Sequence, residues 1–269
     1  MDRSDTMDSH SAALAGVPPS VGGSANNRHL MVDSHSPTSA DIHPGVGFRI
    51  KRDFVRPKCD VTGMFEDFEV ADISDHLNRL YAVDCSIRCL SGGDHRLVGP
   101  ACTVKVYPGD NLMVHKVLDI AKPGDVVVVD AHGSAATAVL GDTISMKAWH
   151  RGIVGFVVDG YVRDLSEIQK LDYPVYARGD MPIGPLHRAP GEINYPVCCG
   201  GVVVSPGDII IADRSGIVVL PKACVEDLYG QLRLYKDRVA TYIENVRKGK
   251  FSNAWVDELL SNGRCPIEA

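Results

Sequence analysis

Arg163 and Asp164 stand side by side in "VVDGYVRDLSE", just after the apolar run "GIVGFVV", and Glu167 follows three residues later. An arginine fork suits a carboxylate bidentately. An aspartate offers hard oxygen to Mg2+ or Mn2+. Such residues gather at the carboxyl ends of strands when they serve ligands in α/β folds. The bland alternative is a helix start, with an acid set against the helix dipole and Arg163 paired to Glu167 on the surface.

A second chemical stretch is "LGDTISMKAWHRG". Gly141 precedes a short helix whose first N–H groups lack intrahelical partners and can seat a carboxylate. Asp142 lies in that turn, either as an ordinary helix-start acid or as a group holding a water near a substrate. His132, in "DAHGS", either touches substrate or is a hydrogen-bonded loop histidine. Arg178, in "YARG", is either an ion-pair partner or the edge of a site. Cys198 and Cys199 are adjacent, closer than the usual metal-ligand spacing. Cys85 and Cys89 suit one helical face better than a zinc site.

The elements that would position these groups alternate along the chain. "HRLVGPACTVKVYPGD" predicts a strand closed by a Pro-Gly turn. "NLMVHKVLDIAKPGD" predicts a helix, with Met113, Val114, Val117, Leu118 and Ala121 at helical spacing and Asn111 as cap. "DVVVVDAHG" and "IVGFVVDG" are continuous apolar runs that suit strands buried on both faces. "TISMKAWHRG" and "LSEIQKL" predict short helices. Upstream, "FEVADISDHLNRLYAV" predicts an irregular lead-in and then a helix capped by Ser74 or Asp75. Downstream, "PVCCGGVVVSPGDIIIADRSGIVVL" has hairpin texture, and residues 222–248 predict an amphipathic surface or interface helix. Alternating strands and helices predict an α/β layered core. The repeated "PGD" before two strands predicts a shared turn, not a repeated domain.

Residues 1–45 are rich in Ser, Asp, His, Gly and Pro without periodicity, and predict a disordered tail before one domain at 46–269. Four of the ten histidines (His10, His29, His35 and His43) fall in that tail, as a solvated set in preference to a metal site. The net charge of −6 gives no basic footprint for nucleic acid. No apolar run has the roughly 20 residues of a membrane helix, and the N-terminus lacks the pattern of a secretory signal. The eight irregularly spaced cysteines point to a reduced, cytoplasmic protein. Neither a P-loop nor a dinucleotide fingerprint is present.

The segment "GDTISMKAWHRGIVGFVVDGYVRDLSE" resembles the signature of the RraA-like family, which contains 4-hydroxy-4-methyl-2-oxoglutarate aldolases and the regulator of ribonuclease activity A. "DNLMVHKVLDIAKPGDVVVVDAHG", "PVYARGDMPIGP" and "PVCCGGVVVSPGDIIIADRSGIVVLP" are also similar to family segments, from about Phe68 to Leu220. The resemblance implies a compact α/β/β sandwich of the swivelling type, a homotrimer or hexamer, and sites at subunit interfaces. It implies cleavage of a 4-hydroxy-2-oxo diacid to release pyruvate, with oxaloacetate decarboxylation and a divalent metal, Mg2+ or Mn2+. The diacid would be 4-hydroxy-4-methyl-2-oxoglutarate or 4-carboxy-4-hydroxy-2-oxoadipate. In this sequence Asp164 would bind the metal and Arg163 would hold the pyruvyl group. The N–H groups of Gly141, Asp142, Thr143 and Ile144 would seat its carboxylate, and Asp142 would position the water that shuttles a proton. An acid from a neighbouring subunit, Asp237 or Glu244, would complete the site. The alternative is a non-enzymatic regulator that binds a ribonuclease; such regulators generally lack the Asp that here is Asp164.

Overall fold

The structure, a computed structural model, describes residues 42–268. The expected tail lies outside the described residues as far as Asp41. Eleven strands and seven α-helices follow: β1 (Arg49–Ile50), α1 (Val61–Phe65), α2 (Val70–His76), β2 (Arg88–Cys89), β3 (Leu97–Val106), α3 (Leu112–Val117), β4 (Val126–Leu140), α4 (Asp142–His150), β5 (Gly155–Val162), α5 (Leu165–Leu171), β6 (Val175–Asp180), β7 (Gly191–Ile193), β8 (Val197–Cys199), β9 (Val202–Val204), β10 (Ile209–Asp213), β11 (Gly216–Leu220), α6 (Val225–Arg247) and α7 (Ala254–Asn262).

The main sheet runs β1-β7-β3-β4-β5-β6-β2, with β3 to β6 mutually parallel. β3 belongs to two pairings. Its first half bonds antiparallel to β10, and its second half bonds β4 and β7. The period of two along a strand then sorts side chains into layers. Val127 and Val129 of β4 join Val114, Ile144, Ala148 and Ile168 of α3, α4 and α5 in one core. Val126 and Val128 point the other way and join Val197, Val204, Ile210 and Val219 of β8 to β11 in a second core. A strand buried on both faces must be apolar throughout, which is why "VVVV" has no polar alternation. This is the expected α/β/β sandwich. The outer face of β10–β11 carries one more layer: Ile209, Ile211 and Val218 are covered by Phe65, Ile73, Leu228 and Leu232 of α1, α2 and α6.

The two "PGD" turns that precede strands have one chemistry. In each, the Asp side chain accepts from the N–H three residues earlier, Lys122 to Asp125 at 2.8 Å and Ser205 to Asp208 at 2.8 Å. In both, the preceding Gly, Gly124 or Gly207, has φ of 90°, the left-handed geometry that a Pro-Gly turn demands. β4 and β10 otherwise differ, since one pairs parallel and the other antiparallel with β3.

Three local expectations differ from the fold. α2 begins at Val70 and not at Ser74 or Asp75, because the carboxylate of Asp213, from another layer, accepts the Val70 N–H at 3.1 Å. The same helix stops at His76, where Asn78 and Arg79 turn left-handed, with φ of 57° and 64°. Cys85 and Cys89 therefore share no helix; Cys89 lies in β2. Thirdly, β4 does not end near His132 but continues to Leu140 through register shifts against β5.

Candidate active site

β4 and β5 end side by side, with Leu140 opposite Val162. The crossover between them is α4, so the residues after the two strand ends must meet. Arg163 N donates to Leu140 O at 3.0 Å, which locks the two exits together. Gly141 and the Arg163–Asp164 pair thereby form one corner at the carboxyl ends of parallel strands, the usual ligand position in α/β folds.

Within that corner Asp164 is left-handed, with φ of 58° and ψ of 37°. A non-glycine residue in this region carries strain, on the order of 1–3 kcal/mol, that surrounding structure must hold. Its side chain does not cap α5. Its carboxylate instead lies 3.1 Å from Arg163 Nε and against Gly141. A Cβ on Gly141 would collide with that carboxylate and stand 3.0 Å from Arg163 Cγ, so the glycine is fixed by close approach and not by its extended backbone. Ser145, buried, bonds back to Gly141 O through both its N–H and its hydroxyl, at 3.1 and 3.0 Å. Glu167 pairs with Lys170 at 2.6 Å, and the surface pair of Arg163 with Glu167 does not form.

Gly141, Asp142, Thr143 and Ile144 line the cleft together with Arg163 and Asp164. Asp142 Oδ1 accepts from Thr143 N at 2.5 Å and from Thr143 Oγ1 at 3.1 Å. The Thr143 N–H is thus occupied from within the turn. The other carboxylate oxygen of Asp142 has no such bond. Among the described residues no group of three or more His, Cys, Asp or Glu side chains is arranged as a metal cage.

The opposite wall consists of residues outside the signature. Asn111, His115, Pro185 and His187 close a cavity of about 270 Å3. Asp110, buried at the end of the β3–α3 turn, holds this wall together. Its Oδ1 accepts Leu112 N at 2.8 Å, and its Oδ2 accepts Arg188 N and Ala189 N at 2.6 and 2.9 Å. The loop before β7 is further tied by Leu186 N to Gly109 O at 2.8 Å, Asn111 N to Leu186 O at 3.0 Å and Ala138 N to Ile183 O at 2.8 Å. Asn111 precedes α3 without capping it by its side chain. Its Nδ2 donates to Val139 O at 2.8 Å, and its Oδ1 lies 2.6 Å from His187 Nδ1. His187 packs edge-on to His115 with ring centroids 5.4 Å apart. Burial pushes the His115 pKa below its ordinary value, and the His187 ring and Lys147 push the same way. One sequence signal was available for this wall: "GDN" before a short helix puts two polar side chains where a strand exits.

The remaining candidates fall elsewhere. His132 is not part of the cleft; its Nδ1 lies 3.5 Å from Asp130 Oδ1. Arg178 is an ion-pair residue, with Nε 2.5 Å from Asp159 Oδ1 and Nη1 3.4 Å from Asp84 Oδ2. Asp237 and Glu244 both lie on α6, and neither lines the cleft of its own chain. No helix among the described residues is long and apolar enough to cross a membrane.

The chain is similar to known proteins. Residues 70–219 match the profile of the RraA-like family, described as aldolase/RraA. A protein of Halalkalibacterium halodurans, provisionally named a 4-hydroxy-4-methyl-2-oxoglutarate aldolase, is 40% identical over 171 residues, 64% of this chain and 81% of its own. A 4-hydroxy-4-methyl-2-oxoglutarate aldolase of Thermus thermophilus is 37% identical over 131 residues, 49% of this chain and 79% of its own. Among solved structures, an unusual member of the RNase ES inhibitor RraA family from Streptomyces coelicolor superposes with a TM-score of 0.65 at 27% identity. It covers 71% of this chain and 98% of its own. The RNA-processing inhibitor RraA from Thermus thermophilus gives 0.54 at 33% identity over 58% and 94%.

Proposed function

The chain belongs to the RraA-like family, and on that premise we propose that it is a divalent-metal-dependent lyase that releases pyruvate from a 4-hydroxy-2-oxo diacid. Under this reading it also decarboxylates oxaloacetate. The observation that carries the reading is the state of Asp164. It is held left-handed, its side chain caps nothing, and it lies with Arg163 against a glycine that leaves room for both. Strain held in place by neighbours favours a functional reading, whereas an ordinary helix-start acid would cap its helix.

The donor set fits Mg2+ or Mn2+. One carboxylate, Asp164, faces a cleft among hard oxygen donors, and these ions keep most of their waters and take one or two carboxylates plus substrate oxygens. When bound, the ion would act as a Lewis acid on the substrate carbonyl. The chain's own residues do the rest. Arg163 orients the pyruvyl carboxylate and carbonyl and offsets charge on that oxygen as the C–C bond breaks. The free N–H groups at the start of α4 seat the carboxylate. Asp142, with one oxygen fixed by Thr143, holds a water through the other and moves a proton through it. A neighbouring copy would supply Asp237 or Glu244 in a homotrimer or hexamer; exposed Leu234, Tyr242 and Ile243 on the same helix support an interface there.

Inhibition of a ribonuclease or of RNA processing, the role for which two structural relatives are named, leaves the geometry of Asp164 without a use. Pyruvate release measured over oxaloacetate and a panel of 4-hydroxy-2-oxo diacids, with and without Mg2+, tests the enzyme reading. Arg163→Lys keeps the charge but loses the planar fork. It should cost about 2–4 kcal/mol of transition-state stabilisation, visible in kcat as well as KM. Near-normal kcat/KM in this variant removes the main support for the site.

A further inference from the structure

The signature residues account for only one wall of the cleft. The other carries two imidazoles placed there by contacts distant in sequence. We propose that the His115–His187 wall, positioned by Asn111, is the seat of the substrate's second carboxylate and selects 2-oxo diacids over 2-oxo monoacids. This rests on the lyase reading and extends it to the leaving fragment.

Three observations support the assignment. The first is that the His187 ring is oriented, not free. Asn111 Nδ2 faces the Val139 carbonyl, so Oδ1 must be the atom that meets His187, and His187 Nδ1 must carry the proton. That leaves Nε2 as the nitrogen available to a ligand. Secondly, these rings differ from His95 and His132, each of which lies within 3.5 Å of a carboxylate, Asp172 or Asp130. Among the described residues His115 and His187 have no acid partner; they pack on one another at the mouth of a cleft. The burial and mutual repulsion that disfavour charge on His115 would be offset by an incoming carboxylate.

Distance is the third. A Cβ on Gly184 would stand 2.6 Å from Arg163 Nη1, so the loop passes directly over the guanidinium. His187 is three residues further on, and three residues span at most about 10 Å. The carbon chain of a five-carbon diacid spans about 5 Å between its terminal carbons. That length lies within the roughly 10 Å limit, and Arg163, His115 and His187 line one cavity of about 270 Å3.

The test is calorimetric binding of pyruvate and of 2-oxoglutarate, a five-carbon 2-oxo diacid without the hydroxyl group that cleavage needs, to the full chain in Mg2+. The wild type should prefer 2-oxoglutarate. In His187→Leu and in His115→Leu the ratio of the two affinities should fall by about tenfold or more. His187 is exposed and His115 half-buried, and a thermal melt of each variant checks that the fold is kept. An absent preference in the wild type, or an unchanged ratio in folded variants, overturns this inference alone. No binding of either ligand by the wild type overturns the reading of the cleft, and this inference with it.

Discussion

The two walls of the cleft are built in opposite ways. The Arg163–Asp164 corner is local: a strand ends, two adjacent residues follow, and one crossover brings Gly141 alongside. The histidine wall is assembled at long range, since Asp110 and Asn111 grip residues 76 to 79 positions away. The corner stores strain in one backbone angle, whereas the wall spends a buried carboxylate on three backbone N–H groups. The contrast separates two roles. A strained, half-exposed corner can be altered with little effect on folding, whereas a satisfied buried junction cannot.

The sharpest break of this contrast is Asp164→Gly. Glycine takes the left-handed conformation without penalty, so the thermal midpoint should hold or rise. Pyruvate release should fall by about 100-fold or more, the scale of losing a group that stabilises transition-state charge. A variant with wild-type turnover, or one that melts several degrees lower, would show that Asp164 is structural.

Asp110→Ala should do the reverse. It leaves three N–H groups without their acceptor, at on the order of 1 kcal/mol each, so unfolding in urea should shift by about 3 kcal/mol with an unchanged slope. If stability is unaffected, the junction is not what holds the histidine wall.

A smaller effect is expected at Glu192, on β7 just beyond the loop. Burial pushes its pKa up, but the Gly47 N–H and Arg49 outweigh this and bring it below the ordinary carboxylate value. A carboxyl whose folded pKa is depressed contributes stability above its unfolded value of about 4.5, and that contribution is lost as pH falls through the folded value. Glu192→Gln should therefore lower stability at neutral pH and flatten its fall below about pH 4.5. Parallel acid titrations of the two proteins by circular dichroism would expose the idea as wrong if their curves ran side by side.

What could be read from the sequence follows the same division. The strands β4 and β5, the helices α4 and α5, and the corner between them were legible, because each depends on neighbours: apolar runs, a Gly before a helix, two charged residues after a strand. The repeated "PGD" was legible as a turn for the same reason. The start of α2 was not, since its acceptor, Asp213, belongs to another layer. The continuation of β4 to Leu140 was also missed, because strand pairing across bulges leaves no period to detect.

By itself, then, the sequence determined the layered α/β order and the placing of Arg163, Asp164 and the Gly141–Ile144 turn just beyond strand ends, all encoded in short-range pattern. Tertiary structure alone decided that Asp164 turns left-handed against Gly141, that Glu167 leaves Arg163 for Lys170, and that His115 and His187 face the same cleft. The physical reason is that such contacts arise where separate segments are packed together. A hydrogen bond from Arg188 to Asp110, or an imidazole aligned by Asn111, has no signature in either segment until the sheet and the loop bring the two together.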